Sequence, residues 1–518
     1  MLSNISERKL HAVRWVTFLA WALLIVSLFY DPVSAVLTHP GNDWSPLADS
    51  AIDLTRCIAV QSHCVALAPY AIGLRVFWGM VIPSAIFAVL VFGHEFWRRI
   101  CPLYFFSQLP RALGLKPLLN IEHNQWLKNN HLYVQFVLFF MGITARILVI
   151  NSVRSVAGVF FMVTLLSAAG VVALYGGRSW CHYICPFGMV QTVFTGPRGL
   201  LDSQAHIAEP FSLTQSTCRV VDSHGQAQSA CVSCKSSCMD IDSEQSYWEQ
   251  LYKPGRKLVQ YGYLGLVVGY FCYYGLYAGS FEYYFSGVWS HESQSIAALL
   301  EPGFYWQGRE IGIPKLVAAP LTLAAFAAAS CWICTGLERF YRGYLKQQLA
   351  RVGAKELSEE LAEQSLHRAF SVCTFVAFNF FFVYGGRPEI NKFPLAAQLG
   401  FQALVMMVSS LWLYRTWGRS RRRYQTEKLA DKMRRQLQKL SINVTGLLGD
   451  RSLKSLSAEE LNILAQTLPQ VIVPKSKADS VKRFDEAELS LPKTIIKRNQ
   501  PSARSHLSPL LKTKLRKR

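Results

Sequence analysis

The chain has 518 residues, of which 51% are hydrophobic, 13% aromatic and only 17% charged, whereas soluble domains carry about 25% charged residues. The deficit lies in long apolar runs, which excludes a single soluble core and points to a helical membrane bundle with appendages. The formal charge is +21, and residues 415–518 hold 25 Lys/Arg against 9 Asp/Glu, so most of the excess is C-terminal.

A spanning helix needs about 20 mostly apolar residues. Eight runs qualify, at roughly 12–30, 73–93, 132–150, 155–175, 258–279, 315–333, 368–385 and 396–414. The expected fold is an all-α membrane protein of about eight transmembrane helices, with a cytoplasmic Cys-rich loop and a basic cytoplasmic C-terminal tail. Its parts are an N-terminal anchor (1–30), a periplasmic loop (31–72), helices 2–4 with Cys-rich loops (73–257), helices 5–8 (258–414) and the tail (415–518). Lys and Arg beside helix ends mark the cytoplasmic side. Arg98, Arg99, Arg111, Lys116, Arg178, Arg198, Lys257, Arg339, Arg342 and Arg419 share one set of loops, together with Arg8, Lys9 and Arg14. Both termini are therefore expected inside. The first run could also be a signal peptide; its length and the even span count favour an uncleaved anchor.

Between the helices, several residues invite a reading. Cys57 and Cys64 lie in the first outer loop, where they can form a structural bridge or a thiol–disulfide couple that receives electrons. Arg146 lies inside the third span near Asn151; it either snorkels to the outer interface or meets an anion or a quinone head group. His94, His131, His182 and His367 stand near helix ends, as ordinary helix-end residues or as a haem-binding pair. Tyr283, Tyr284, Phe285 and Trp289 read as an interfacial aromatic belt. Cys272 and Cys373 fall within spans and read as small core residues. In the tail, 424–440 is helix-like, Ser457–Glu460 forms a capping box, and the chain beyond Pro474 has a disordered composition. Such a tail suits lipid, solvent or a partner protein better than nucleic acid, because it follows a transmembrane run.

The cysteines carry the chemistry. The fourth span ends in Cys181-x₃-Cys185-Pro186, and the same loop continues to Cys231-x₂-Cys234-x₃-Cys238. The second group matches the last three ligands of a ferredoxin run, C-x₂-C-x₂-C-x₃-C-P, with Gln228 at the missing first position and Met239 at the proline. The first group matches the last two ligands and the proline. Short spacers let one loop wrap several irons, and proline after the final ligand turns the chain away. A structural zinc site is the rival; C-x₃-C-P beside C-x₂-C-x₃-C favours iron–sulfur. An internal repeat adds to this. With an offset of 84, Gly93 meets Gly177, Ile100 meets Ile184, Cys101 meets Cys185 and Pro102 meets Pro186, while Trp97 stands at Cys181 as if a ligand had been lost. A third exit, Cys331-Trp-Ile-Cys334, echoes the pattern. Cys101, Cys181, Cys185, Cys231, Cys234, Cys238, Cys331 and Cys334 make eight thiolates, the complement of two [4Fe–4S] clusters; one cluster is the minimal reading. Cys218 is a substitute ligand.

At Cys181-x₃-Cys185-Pro-Phe-Gly the chain resembles the NosR/NapH/CcoG group of polytopic membrane iron–sulfur proteins, mainly over residues 73–240. The resemblance implies [4Fe–4S] clusters, the bacterial inner membrane, and electron transfer that supports a reductase or a metalloenzyme's maturation. Electrons would pass from a cytoplasmic or quinol donor to a membrane or periplasmic acceptor, with a quinone or a redox protein as partner. That makes the chain an electron-transfer component rather than a stand-alone oxidoreductase. Two other functions compete: a metal-ion or disulfide reductase using Cys57 and Cys64, and a redox-sensing or assembly protein whose tail contacts a partner.

Overall fold

A computed structural model describes residues 7–439, apart from 40, 43, 46, 48–56, 62, 68, 120, 202–218, 222–226, 230–237, 240–241, 293–294 and 352–357. Cys218, Cys231, Cys234, the capping box at 457–460 and the tail beyond 440 lie outside the described residues. The chain divides into two units, Met1–Ser420 and Arg421–Arg518. In the second, the basic segment forms the helix Arg421–Lys439.

In the first unit, seven described stretches are long and apolar enough to cross a bilayer: His11–Phe29, Ile72–His94, Gln125–Ile150, Arg154–Tyr175, Lys315–Arg351, Glu359–Tyr384 and Leu395–Trp417. The first four overlap helices α1 (Glu7–Phe29), α2 (Ile82–Ile100) and, after the short α3 (Pro102–Ser107), α4 (Gln125–Ala145) and α5 (Arg154–Tyr175). Next come α6 (Pro186–Thr195), α7 (Ser243–Gln250) and α8 (Tyr263–Ala278), none of which is among the seven stretches. The last three stretches are α9 (Lys315–Arg351), α10 (Glu359–Tyr384) and α11 (Leu395–Trp417).

Seven of the eight expected spans are thus among these described stretches. The run at 258–279 is helical, a π turn over Leu258–Gly262 leading into α8. Its Tyr and Gly content lowers its apolarity because it faces protein, not lipid: Tyr263, Tyr270, Tyr273, Tyr274 and Tyr277 are all buried in the main core. Gly265 and Gly269 let α9 approach closely at Phe326, as small residues do between membrane helices.

At one end of the bundle a two-stranded hairpin, Cys57–Val60 with His63–Ala66, carries the Cys57–Cys64 disulfide, with Cα atoms 5.6 Å apart. Both cysteines are exposed. The hairpin tip is fixed by Gln61, which donates to the carbonyls of Tyr277 (3.0 Å) and Pro302 (2.9 Å). Tyr283, Tyr284 and Trp289, expected as an interfacial belt, are instead buried in the core. The reason is polar satisfaction. The Tyr277 hydroxyl donates to Glu292 at 2.6 Å and Tyr283 donates to the same carboxylate, while Lys315 stands 3.7 Å away and His63 3.5 Å away. Burial alone would raise the Glu292 carboxyl, but His63, Lys315 and the two tyrosines outweigh it and hold it down at about 2. Glu292 in turn raises His63 above its ordinary 6.5.

A pH dependence follows. The His63–Glu292 contact stabilises fully below pH 6.5 and is lost as pH rises through the raised His63 value. Glu292 contributes above 4.5, and this is lost as pH falls towards 2. The melting temperature of the detergent-solubilised chain should therefore decline as pH rises above about 6.5. His63→Gln should flatten that decline; an unchanged alkaline limb in the variant would remove His63 from the account.

Candidate iron–sulfur site

At the opposite end of α2 the chain leaves the helix at Cys101, which is the N-cap of α3 (φ −61°, ψ 119°), with Pro102 at the first helical position. Cys185 is the N-cap of α6 with nearly the same angles (φ −54°, ψ 120°), followed by Pro186. Proline suits this position because the missing N–H has no helical partner there. Each thiol therefore faces backbone N–H groups: Leu103 and Tyr104 for Cys101, Phe187 and Gly188 for Cys185. Backbone N–H groups of this kind stabilise cluster sulfurs and tune their potential.

The two exits are copies that differ by one residue. The Cys101 amide donates to the carbonyl of Trp97, four residues back (2.9 Å); the Cys185 amide donates to Trp180, five residues back (2.8 Å), closing the π turn Trp180–Ile184. Upstream, Gly93 (φ 72°, ψ −169°) matches Gly176 (φ 69°, ψ −179°), both in a conformation open to glycine. The offset is 83 before the π turn and 84 after it. This corrects the alignment read from sequence: Trp97 corresponds to Trp180, not to Cys181, and the residue added in the π turn is one of Cys181, His182 and Tyr183. Single π turns are frequent at functional sites.

Cys101, Cys181 and Cys185 lie within electrostatic reach of one another. Burial, then the neighbouring Cys181, pushes the Cys101 thiol up to about 12. Burial, Cys181 and Cys101 drive Cys185 up as well. Massed buried thiols resist ionisation unless a cation compensates them, and metal ligation deprotonates a thiol outright. The donor set thus fits a thiolate-bound metal group. Among the described residues no three Cys, His, Asp or Glu side chains close around a single metal ion. A cubane spreads its ligand sulfurs over several irons, and Cys231 and Cys234 fall outside the described residues.

Gly188 fixes this geometry. A Cβ there would stand 2.7 Å from the Cys181 carbonyl oxygen and 2.9 Å from Gln135 Nε2. Gly188→Ala should cost about 1–3 kcal/mol of strain and displace the Cys181 backbone. Iron content per chain is the check, and a fully loaded alanine variant would show that the approach does not matter.

Cys238 is half-buried, and its carbonyl accepts from the Asp242 amide at 2.8 Å. Asp242 caps α7 by accepting from the Gln245 amide (2.9 Å). Glu244, wholly buried in α7, binds Arg198 and Arg419, the latter at 2.9 Å. Cys331 and Cys334 lie on α9. The Cys334 sulfur is 3.7 Å from Cys373 on α10, which the sequence offers only as a core residue. The haem reading finds no support at His367, whose ring nitrogens are both taken, by the Tyr247 hydroxyl (2.8 Å) and the Thr416 carbonyl (2.9 Å). His94 meets Gln191 (3.0 Å) and His131 the Lys128 carbonyl (3.0 Å).

Residues 158–202 match the model of a 4Fe-4S binding domain. That segment contains all but the first turn of α5, the π turn, Cys181, Cys185 and α6. Together with the seven apolar helices, the match supports a membrane protein that binds a [4Fe–4S] cluster. No curated protein and no solved structure matches the chain. The 4Fe-4S segment is therefore understood from its own geometry: one Cys-Pro helix start at Cys185 and the π turn that carries Cys181, with Cys101 brought to them from the other helix exit. Gly188 and Glu244 were not evident from sequence; a glycine following Cys-Pro-Phe is the one signal that could have found the first.

Proposed function

We propose that the chain is an electron-transfer protein of a bacterial inner membrane, with Cys101, Cys181, Cys185, Cys231, Cys234 and Cys238 as cluster ligands at the cytoplasmic side. Cys331 and Cys334 complete the set for a second cluster. The observation that carries this reading is the Cys101–Cys181–Cys185 trio at paired helix starts, two of its members inside the matched 4Fe-4S segment. A bound [4Fe–4S] group supplies one-electron transfer. The chain's own residues would hold it: the first-turn amides of Leu103, Tyr104, Phe187 and Gly188 face the sulfurs, and Trp97 and Phe187, on the two helix exits, pack against each other with ring centres 5.0 Å apart. Electrons would come from a cytoplasmic or quinol donor and leave to a membrane or periplasmic acceptor, in the manner of the NosR/NapH/CcoG group. Anaerobic purification with iron and sulfide quantitation and EPR tests this. One or two clusters' worth of iron and a reducible signal are expected; iron-free protein ends the reading.

The exposed Cys57–Cys64 disulfide favours a second reading, a disulfide or metal-ion reductase. Reductase activity that survives Cys57→Ser with Cys64→Ser would rule out that thiol couple.

A further inference from the structure

Between α1, α2, α4 and α5 runs a cavity of 1480 Å³. Its walls are almost wholly apolar, including Leu24, Phe77, Phe161 and Leu266; at one end it reaches Cys101 and Cys185, at the other Arg146. Arg146 is only 9% exposed. Its guanidinium lies 3.9 Å from the Trp78 ring centre and 4.8 Å from that of Tyr270. Its Nε donates to Asn151 Oδ1 at 3.1 Å, and Asn151 donates to the Tyr274 hydroxyl at 2.5 Å. Among the described residues no carboxylate pairs with it. Asp31, which lines the same cavity, is held by Arg154 at 3.3 Å.

A buried cation at membrane depth is costly, and ring faces and a neutral amide offset only part of that cost. What is missing is an anion. Arg146 begins the last turn before the loop that leads to Arg154, so it lies within reach of a lipid head group at the hairpin end. A guanidinium fork matches a phosphodiester's paired oxygens. The long apolar walls match an acyl chain. We propose that the cavity holds one anionic phospholipid, its phosphodiester on Arg146 and an acyl chain running to the cysteine end. Charge decides against a neutral quinone or a zwitterionic lipid, because neither removes the uncompensated positive charge. The chain end lies against Cys101 and Cys185 and keeps water from them. That consequence rests on the cluster reading; the lipid site does not.

The test uses the full chain, purified in mild detergent, delipidated, and titrated with dioleoylphosphatidylglycerol or dioleoylphosphatidylcholine under native mass spectrometry. One phosphatidylglycerol should bind, with phosphatidylcholine at least about tenfold weaker, and Arg146→Gln should remove that preference. Gly142→Phe provides a control for folding. Gly142 lines the cavity, and a Cβ there meets nothing within 4 Å, so the new side chain starts in open space and its ring should obstruct the lipid without touching Arg146. Equal binding of both lipids, an Arg146→Gln variant that keeps the preference, or a co-purifying quinone in the cavity overturns the assignment. Iron content, read on the same samples, reports separately on the cluster.

Discussion

Cys185→Ser should strip the purified protein of the iron and acid-labile sulfide of the cluster that Cys185 holds, all of it if there is one cluster and half if there are two, while its helix content by circular dichroism stays that of the parent. Loss of a partner behind a ligand already costs about 10–100-fold in metal affinity, so loss of a ligand should exceed that and empty the site. Serine keeps the N-cap, because its hydroxyl accepts from the same backbone amides that face the sulfur. Helix α6 should therefore persist, and the defect should be chemical. Cys181→Ser should behave alike, although Cys181 occupies a π turn and no helix start. Cys272→Ala, on α8, should retain its iron. The double variant Cys331→Ser with Cys334→Ser discriminates between one cluster and two. A fall to half the parent's iron means that α9 carries a second cluster; unchanged iron returns these thiols to packing beside Cys373. If Cys185→Ser remains fully loaded, the helix-start thiols are not ligands.

Much of this site was legible before any coordinates. Cys-Pro at two helix exits is a short-range signal: proline at the first helical position and a polar cap before it are decided by neighbours in sequence. The repeat was legible for the same reason. Its register was not, because a π turn inserts one residue without changing the pattern on either side. Aligning Gly93 with Gly177 absorbs the insertion in the wrong place, and only the five-residue hydrogen bond at Cys185 reveals it. The spans were read from apolarity, which reports contact with lipid. That criterion fails at α8, whose tyrosines bury their rings against protein and satisfy hydroxyls such as those of Tyr270 and Tyr274 on each other, at 2.6 Å. The aromatic loop near Trp289 misled for a related reason. Its partner acid, Glu292, and the lysine facing it, Lys315, are 23 residues apart in sequence and are brought together only by the fold.

The same limit hides Glu244, where the second large effect is expected. Glu244→Ala should destabilise the chain by about 3–5 kcal/mol, the cost of removing one partner from a buried ion pair, read as a shift in denaturant midpoint. Three segments depend on this one carboxylate. It lies on α7, just after Cys238; it holds Arg198, which closes the matched 4Fe-4S segment; and it holds Arg419 beyond α11 through Nε (3.1 Å) and Nη2 (2.9 Å). Trp412 adds a further tie by donating to the Arg198 carbonyl at 3.0 Å. The penalty arises from guanidiniums that lose their anion, so it should shrink when they are removed too. Glu244→Met combined with Arg198→Met and Arg419→Met should be closer to the parent than Glu244→Ala alone, because replacing both sides of a buried ion pair by apolar residues is often neutral. Stability and iron should then separate. If the network only positions the segment that bears Cys238, the triple variant regains its midpoint yet loads iron less well. If iron returns together with stability, Glu244 acts through folding alone.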